Sequence, residues 1–395
     1  MDLNNGSYSV SGERWNFPGA RLPVSKKRED VLNERREAVK NSMKHAWEGY
    51  KSYAFGKDEL TPVRKGWNNK WGVTLIDSLD TLYIMDMIDE FHEAKEYIST
   101  IDFNKTTPKH KTSLFESVIR VLGGLLSAYE LSGEKIFLEK AKEAGDSLFP
   151  CFDHPSGIPY TFIDINTKTP VERKVNIAEI GTLQLEYHKL SQLTGEKEYY
   201  AKTQKIIDIL ENMKTPFPGL YPIFVDKKKM KLNGPVSIGG MGDSFYEYLL
   251  KLYLLHDKSE DQYRNMYIKS VEGISNKMVF KRKVGYNLTF TSDLESGTYK
   301  PTGKMGHLDC FFPGVLALGS KELDRPNDLK LAEELMETCY DFYKRMPTGL
   351  SPEGVIFKNI YSNKGSSGKS DLKNLDYAVK LKGYYLRPGY FLINF

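Results

Sequence analysis

Two short hinges with matching flanks constrain this chain more than any other feature. Leu131-Ser132-Gly133-Glu134-Lys135 and Leu193-Thr194-Gly195-Glu196-Lys197 stand 62 residues apart, each between two stretches of helical periodicity. Before the first hinge, Leu114, Val118, Val121, Leu122 and Leu125 form one apolar stripe; after it, Phe137, Ala141, Ala144 and Leu148 form another. After the second hinge, Tyr199, Thr203, Ile206 and Leu210 repeat the outer stripe. A third unit follows from Asp243 and a fourth from His307, so the chain reads as a series of helical hairpins. Such units cannot bury their apolar faces alone. Alternate helices are therefore expected to form inner and outer rings of one all-α barrel.

Segments after the outer helices, such as PYTFIDINTKTP, GLYPIFVDKKKMKLNGPV and RKVGYNLTFTSDLESGTY, alternate aromatic, β-branched and polar residues between turn formers. They predict short strands gathered at one end of the barrel, where binding surfaces usually form. Residues 1–30 read as an irregular polar leader, and residues 31–395 as the barrel domain. Thr74 to Tyr97 reads as helical, and residues 363–383, rich in Gly, Ser and Lys, read as a flexible link.

Glu116, Glu179, Asp243 and His307 lie 63, 64 and 64 residues apart, near the start of successive inner helices. For any one of them, a helix-start role is the simpler reading: Asp243 after Gly239-Gly240-Met241-Gly242 suits an N-cap, and glutamate near an N-terminus offsets the dipole. At a fixed period, all four are expected to face one cavity, as acid, base and ligands for a polar substrate. Glu116, Arg120, Gly123 and Gly124 share one face of their helix, which reads as polar and sterically open. A Glu-Arg pair at i, i+4 would otherwise be a surface pair worth a few tenths of a kcal/mol. The usual zinc spacings, P-loop, dinucleotide-binding glycines and GxSxG elbow are all missing. Lys plus Arg exceed Asp plus Glu by only 4, with signs interspersed, so no nucleic-acid surface is expected. No apolar run is long enough to span a membrane. Three sequons, at Asn5, Asn104 and Asn287, matter only in a lumenal or secreted protein.

The motifs TLIDSLDTLYIM (from Thr74), LFESVIRVLGGLLSAY (from Leu114), AEIGTLQLEY (from Ala178), GGMGDSFYEYLLK (from Gly239), MGHLDCFFPGVLALG (from Met305) and ETCYDFYKRMPTGLSPE (from Glu337) resemble, in order, class I α-1,2-mannosidases of glycoside hydrolase family 47. The endoplasmic reticulum branch is the more similar. The resemblance implies an (α/α)7 barrel and calcium-dependent, inverting removal of terminal α-1,2-linked mannose from Asn-linked high-mannose glycans. It implies Glu116 as general acid acting through water, Asp243 as the second essential carboxylate, and Arg120, Glu179, His307 and Arg387 as substrate-binding groups. It also implies a Cys310–Cys339 disulfide, whose 29-residue separation would contribute roughly 3 to 4 kcal/mol. The expected setting is a monomer in the endoplasmic reticulum or Golgi lumen, delivered by an N-terminal membrane anchor that this sequence does not contain.

One position departs from the family. Where its Arg-Pro-Glu places the general base, this chain reads Arg387-Pro388-Gly389, and it ends at Phe395 before the calcium-binding Thr. The expectation is a C-terminally truncated barrel lacking its last hairpins and impaired in hydrolysis. The alternatives are a non-catalytic high-mannose-binding or chaperone-like protein, and an unstable fragment.

Overall fold

The computed structural model describes residues 26–68, 71–107, 110–282, 287–357 and 376–387. The expected leader up to residue 25, the Asn5 sequon, link residues 363–375 and Gly389 lie outside them. The chain divides into two compact units, Met1–Phe55 and Gly56–Phe395. In the first, helix α1 (Lys26–Ala54) begins five residues before the expected start of the helical pattern at Val31. Its C-terminal half buries Trp47, Tyr50 and Ala54, with the Trp47 ring edge-on to Phe55 at 6.4 Å.

The second unit is a run of helical hairpins. The stretch read as helical from Thr74 to Tyr97 is itself a hairpin: α2 (Val73–Asp77) and α3 (Leu79–Ile84) turn through Asp86, at φ 55°, into α4 (Ile88–Ser99). No Gly or Pro marks that turn; an aspartate takes the left-handed conformation, which it tolerates better than most residues. Next, α5 (Leu114–Glu116), a π-helical stretch (Ser117–Leu122) and α6 (Gly123–Ser132) form one continuous run that returns as α7 (Lys135–Leu148). Then come α8 (Ile177–Gly181) with α9 (Gln184–Thr194) and α10 (Lys197–Asn212), α11 (Asp243–Leu255) with α12 (Asp261–Lys277), and α13 (Phe312–Glu322) with α14 (Pro326–Lys344).

Gly133 and Gly195 close their helices at φ 71° and 78°, so both hinges of the repeat are left-handed caps. In the next two hairpins Asp257, Lys258 and Asp324 take positive φ instead, which is why the hinge motif fades while the hairpin persists. Helix α3 packs on α6, α6 on α9, α9 on α11 and α11 on α13, while α7 packs on α4. The first set is an inner ring and the second helix of each hairpin is outer, as the (α/α)7 plan requires. The predicted stripe residues Leu114, Val118, Val121, Leu122 and Leu125 are all buried.

The polar, open face expected beside that stripe is corrected at Gly124. It is buried, and a β-carbon there would lie 2.6 Å from the carbonyl oxygen of Ile76. Glycine is required because two inner helices touch backbone to backbone. The flexible link is corrected too: Tyr377–Leu381 is a strand paired antiparallel with Gly354–Phe357, itself paired with Lys304–Gly306. Tyr377 draws the strand in, buried with Phe290, Phe342 and Phe357 around the Cys310–Cys339 disulfide. Each such aromatic contributes about 1.5–3 kcal/mol by leaving water. Among the described residues, no helix is long and apolar enough to cross a membrane.

Candidate active site

Short sheets set the inner-helix starts at one end. Thr112–Ser113 pairs with Phe162–Asp164 and runs straight into α5; Val175–Asn176 pairs with Pro222–Asp226 and runs into α8; Lys304–Gly306 runs into the 3₁₀ turn His307–Phe311 that leads to α13. The residue after each strand is therefore fixed in position and direction. Ser113 and Asn176 cap their helices by accepting from the amides of Glu116 (3.3 Å) and Glu179 (2.9 Å). The same cap geometry thus presents both glutamates. Asp243 opens α11 after a turn in which the Gly242 and Asp243 amides both donate to the Gly239 carbonyl.

The two glutamates and Asp243 come to one end of the inner ring. Phe115, next to Glu116, lines a cavity of about 420 Å³ together with Asp243, Ser244, Glu247, Leu308 and Phe311. Arg120 joins Glu116 at 2.9 Å and reaches Asp77 on α2 at 3.2 Å. Its turn of helix is π-helical, a widening often found at functional sites. Burial opposes the charge on Arg120, but Glu116 and Asp77 outweigh it and push its pKa up. Burial pushes the Asp77 carboxyl up despite Arg120. Glu179 is also raised by burial, with a smaller contribution from Glu116, which places the two charges within electrostatic reach of each other. Its Oε2 is buried and has no hydrogen-bond partner among the described residues. Burial likewise raises Asp243, against donors on Ser244.

His307 is 2% exposed, with Nε2 2.9 Å from the Tyr343 hydroxyl and its ring 6.1 Å from that of Tyr384. Burial holds it below its ordinary pKa, and among the described residues its Nδ1 finds no hydrogen-bond partner. Arg387 grips Glu353 bidentately, with Nε–Oε2 at 2.8 Å and Nη2–Oε1 at 2.6 Å. That pairing pushes the arginine up, with Asp243 adding to the effect. The structure therefore links Asp243, Arg387, Glu353 and His307 on one side, and Asp77, Arg120, Glu116 and Glu179 on the other.

Asp77, Glu353, Asp309 and Glu186 were not expected from the sequence. Asp77 lies inside the Thr74–Met85 motif and Glu353 ends the Glu337–Glu353 motif, so an ordered-motif reading held the signal without assigning it a role. Asp309 is fully enclosed, accepting from the Thr291 hydroxyl at 2.8 Å, with Oδ1 against Gly239 of the turn that launches Asp243. Glu186, seven residues after Glu179, accepts from the Tyr248 hydroxyl at 2.8 Å, and burial pushes it up to about 7. The Cys310–Cys339 disulfide joins the 3₁₀ turn to α14 as the resemblance implied. For calcium, no three Asp, Glu, His or Cys side chains converge as a cation cage among the described residues. No step below runs through a metal ion.

A glycosyl hydrolase family 47 model matches residues 42–391. The endoplasmic reticulum mannosyl-oligosaccharide 1,2-alpha-mannosidase of Homo sapiens is 39% identical over 344 residues, covering 85% of this chain and 48% of that protein. A mannosyl-oligosaccharide 1,2-alpha-mannosidase of Arabidopsis thaliana is 41% identical over 343 residues, covering 83% and 60%. This chain spans about half the length of the curated relatives it matches. Among solved structures, an alpha-1,2-mannosidase from Trichoderma reesei superposes with a TM-score of 0.84 at 29% identity, covering 91% of this chain and 79% of that one.

Proposed function

The chain belongs to glycosyl hydrolase family 47, and from that premise we propose that it recognises terminal α-1,2-linked mannose on Asn-linked high-mannose glycans, with its own hydrolysis impaired. The observation that supports this reading is the pair of charged groups at the inner-helix starts, Glu116 and Glu179 beside the Arg120–Asp77 pair, and cavity-lining Asp243 within electrostatic reach of the Arg387–Glu353 pair. Carboxylates accept hydrogen bonds from vicinal sugar hydroxyls, and arginine fixes the carboxylates that do so.

In the proposed reaction Glu116 is the general acid, delivering its proton to the leaving oxygen through a water, and Asp243 is the second essential carboxylate. Inversion needs an acid and a base carboxyl about 6.5–9.5 Å apart with a water between them. Glycine stands at 389, where the family resemblance puts the base. Without that carboxylate the water is not deprotonated as it attacks, so binding outlasts turnover. Gly389 equally favours the second reading, a non-catalytic or chaperone-like protein that holds high-mannose glycans. The proposed setting is the lumen of the endoplasmic reticulum or Golgi, as a monomer, with calcium the expected cofactor of the family.

The test is to incubate the purified chain with a high-mannose glycan, in calcium and in chelator, measuring binding and released mannose separately. Saturable binding with little release is expected. Ordinary turnover would sink the impairment, and no binding in either condition would sink the glycan reading altogether.

A further inference from the structure

Asn287 stands apart from the site just described. It belongs to Asn287-Leu288-Thr289, an N-glycosylation acceptor sequence, and it is exposed at φ 56° where the chain turns into the strand Thr289–Thr291. The positive φ separates its side chain from those of Leu288 and Phe290, which are buried at 6% and 2% exposure. A cleft of about 660 Å³ opens beside it, bordered by Glu337, Tyr340 and Lys344 of α14. Tyr340 keeps 43% of its surface exposed there. Aromatic faces and mixed charges are what the apolar face and hydroxyls of a sugar ring pack against.

A separate observation concerns the compartment. The Cys310–Cys339 disulfide packs in the same cluster as Leu288 and Phe290, and such bonds persist where the surroundings are oxidising. That is the setting in which acceptor asparagines are modified. The other described sequon is arranged differently, since the Asn104 side-chain oxygen already accepts from Ser147 at 3.0 Å and Lys168 at 2.9 Å.

We infer that Asn287 carries an N-linked glycan whose first sugars lie along the cleft beside Tyr340. The donor is a lipid-linked oligosaccharide pyrophosphate, used by a glycosyl transferase of the host membrane. The Asn287 amide nitrogen forms the new bond to the sugar's anomeric carbon and the bond from that carbon to phosphate oxygen breaks. The lipid pyrophosphate leaves with the electron pair, and the amide gives up one proton. Transfer precedes folding: the Thr289 hydroxyl, part of the acceptor signal, is tied to Glu334 at 2.9 Å in the finished structure, with Lys281 on the same carboxylate.

The test of the modification itself needs no variant. The chain purified from its source cells is digested and the Asn287 peptide is weighed before and after peptide N-glycosidase in heavy-oxygen water. An N-acetylhexosamine-based mass on that peptide, removed with conversion of the asparagine to aspartate, is expected. An unmodified Asn287 overturns the inference. Seating in the cleft predicts that the enzyme releases this glycan at least tenfold more slowly from the native chain than from the unfolded one, and that Tyr340→Ala narrows the gap; equal rates overturn the seating.

Discussion

Arg387 and Glu353 are locked in a bidentate pair 34 residues apart in sequence, and the Glu353 carbonyl also accepts from the His307 amide at 2.9 Å. One glutamate therefore ties the last described residue to the 3₁₀ turn carrying His307, and orients the guanidinium that faces Asp243.

Replacing Glu353 with Ala removes that tie and leaves Arg387 without its carboxylate partner. Charge-assisted hydrogen bonds contribute about 1.5–3 kcal/mol, less where water screens them, and Arg387 is one-third exposed. The expected result is a modest fall in melting temperature with loss of high-mannose glycan binding. Unchanged glycan affinity in a folded E353A chain would separate this pair from the site.

Introducing a carboxylate where the resemblance puts the base probes the impairment directly. Gly389→Glu is expected to raise mannose release by roughly 100-fold, the lower part of the range for general base catalysis, with glycan affinity little changed. A purified G389E chain that binds glycan but releases no more mannose than its parent would show that the missing group lies elsewhere.

Gly124→Ala places a methyl group 2.6 Å from the Ile76 carbonyl, which is backbone and cannot rotate away. Forcing α6 from α2 should cost about 1–3 kcal/mol, read as a lower denaturation midpoint at unchanged slope. Gly133→Ala meets nothing within 4 Å and suffers only from its φ of 71°. Its cost of about 1–2 kcal/mol is conformational, and Gly133→Asn should recover part of it.

Asp309 and Asp293 predict a pH dependence of stability. Burial holds both carboxyls above the ordinary carboxylate range, and the Asp293 charge raises Asp309 further, as does Asp243; Lys304 pulls Asp293 back. Because the folded-state values lie above the unfolded value of about 3.9, the unfolded chain ionises first as pH rises. The stability is full below that value and is lost as pH climbs through the folded-state values. Asp309→Asn keeps a neutral acceptor for Thr291 and should flatten the fall on the alkaline side of pH 4, measured by urea unfolding across a pH series. An identical slope in D309N would show that Asp309 is ionised in the fold.

Helical stripes, Gly-closed hinges and the 63-to-64-residue spacing of Glu116, Glu179, Asp243 and His307 are properties of a few consecutive turns. Backbone periodicity writes them into the residue order, and the buried stripe, the Gly133 cap and the paired strands followed from it. The break at Asp86 left no such mark, because a left-handed aspartate looks like any surface aspartate. Ordered motifs identified the family and the disulfide. They did not show that Arg120 reaches Asp77 across 43 residues, that Gly124 is a helix contact, or that Glu353 holds Arg387. Those facts depend on which surfaces meet when separate hairpins close into a ring. Charge pairing and steric contact act through distance in space, and that distance exists only after the inner helices have packed.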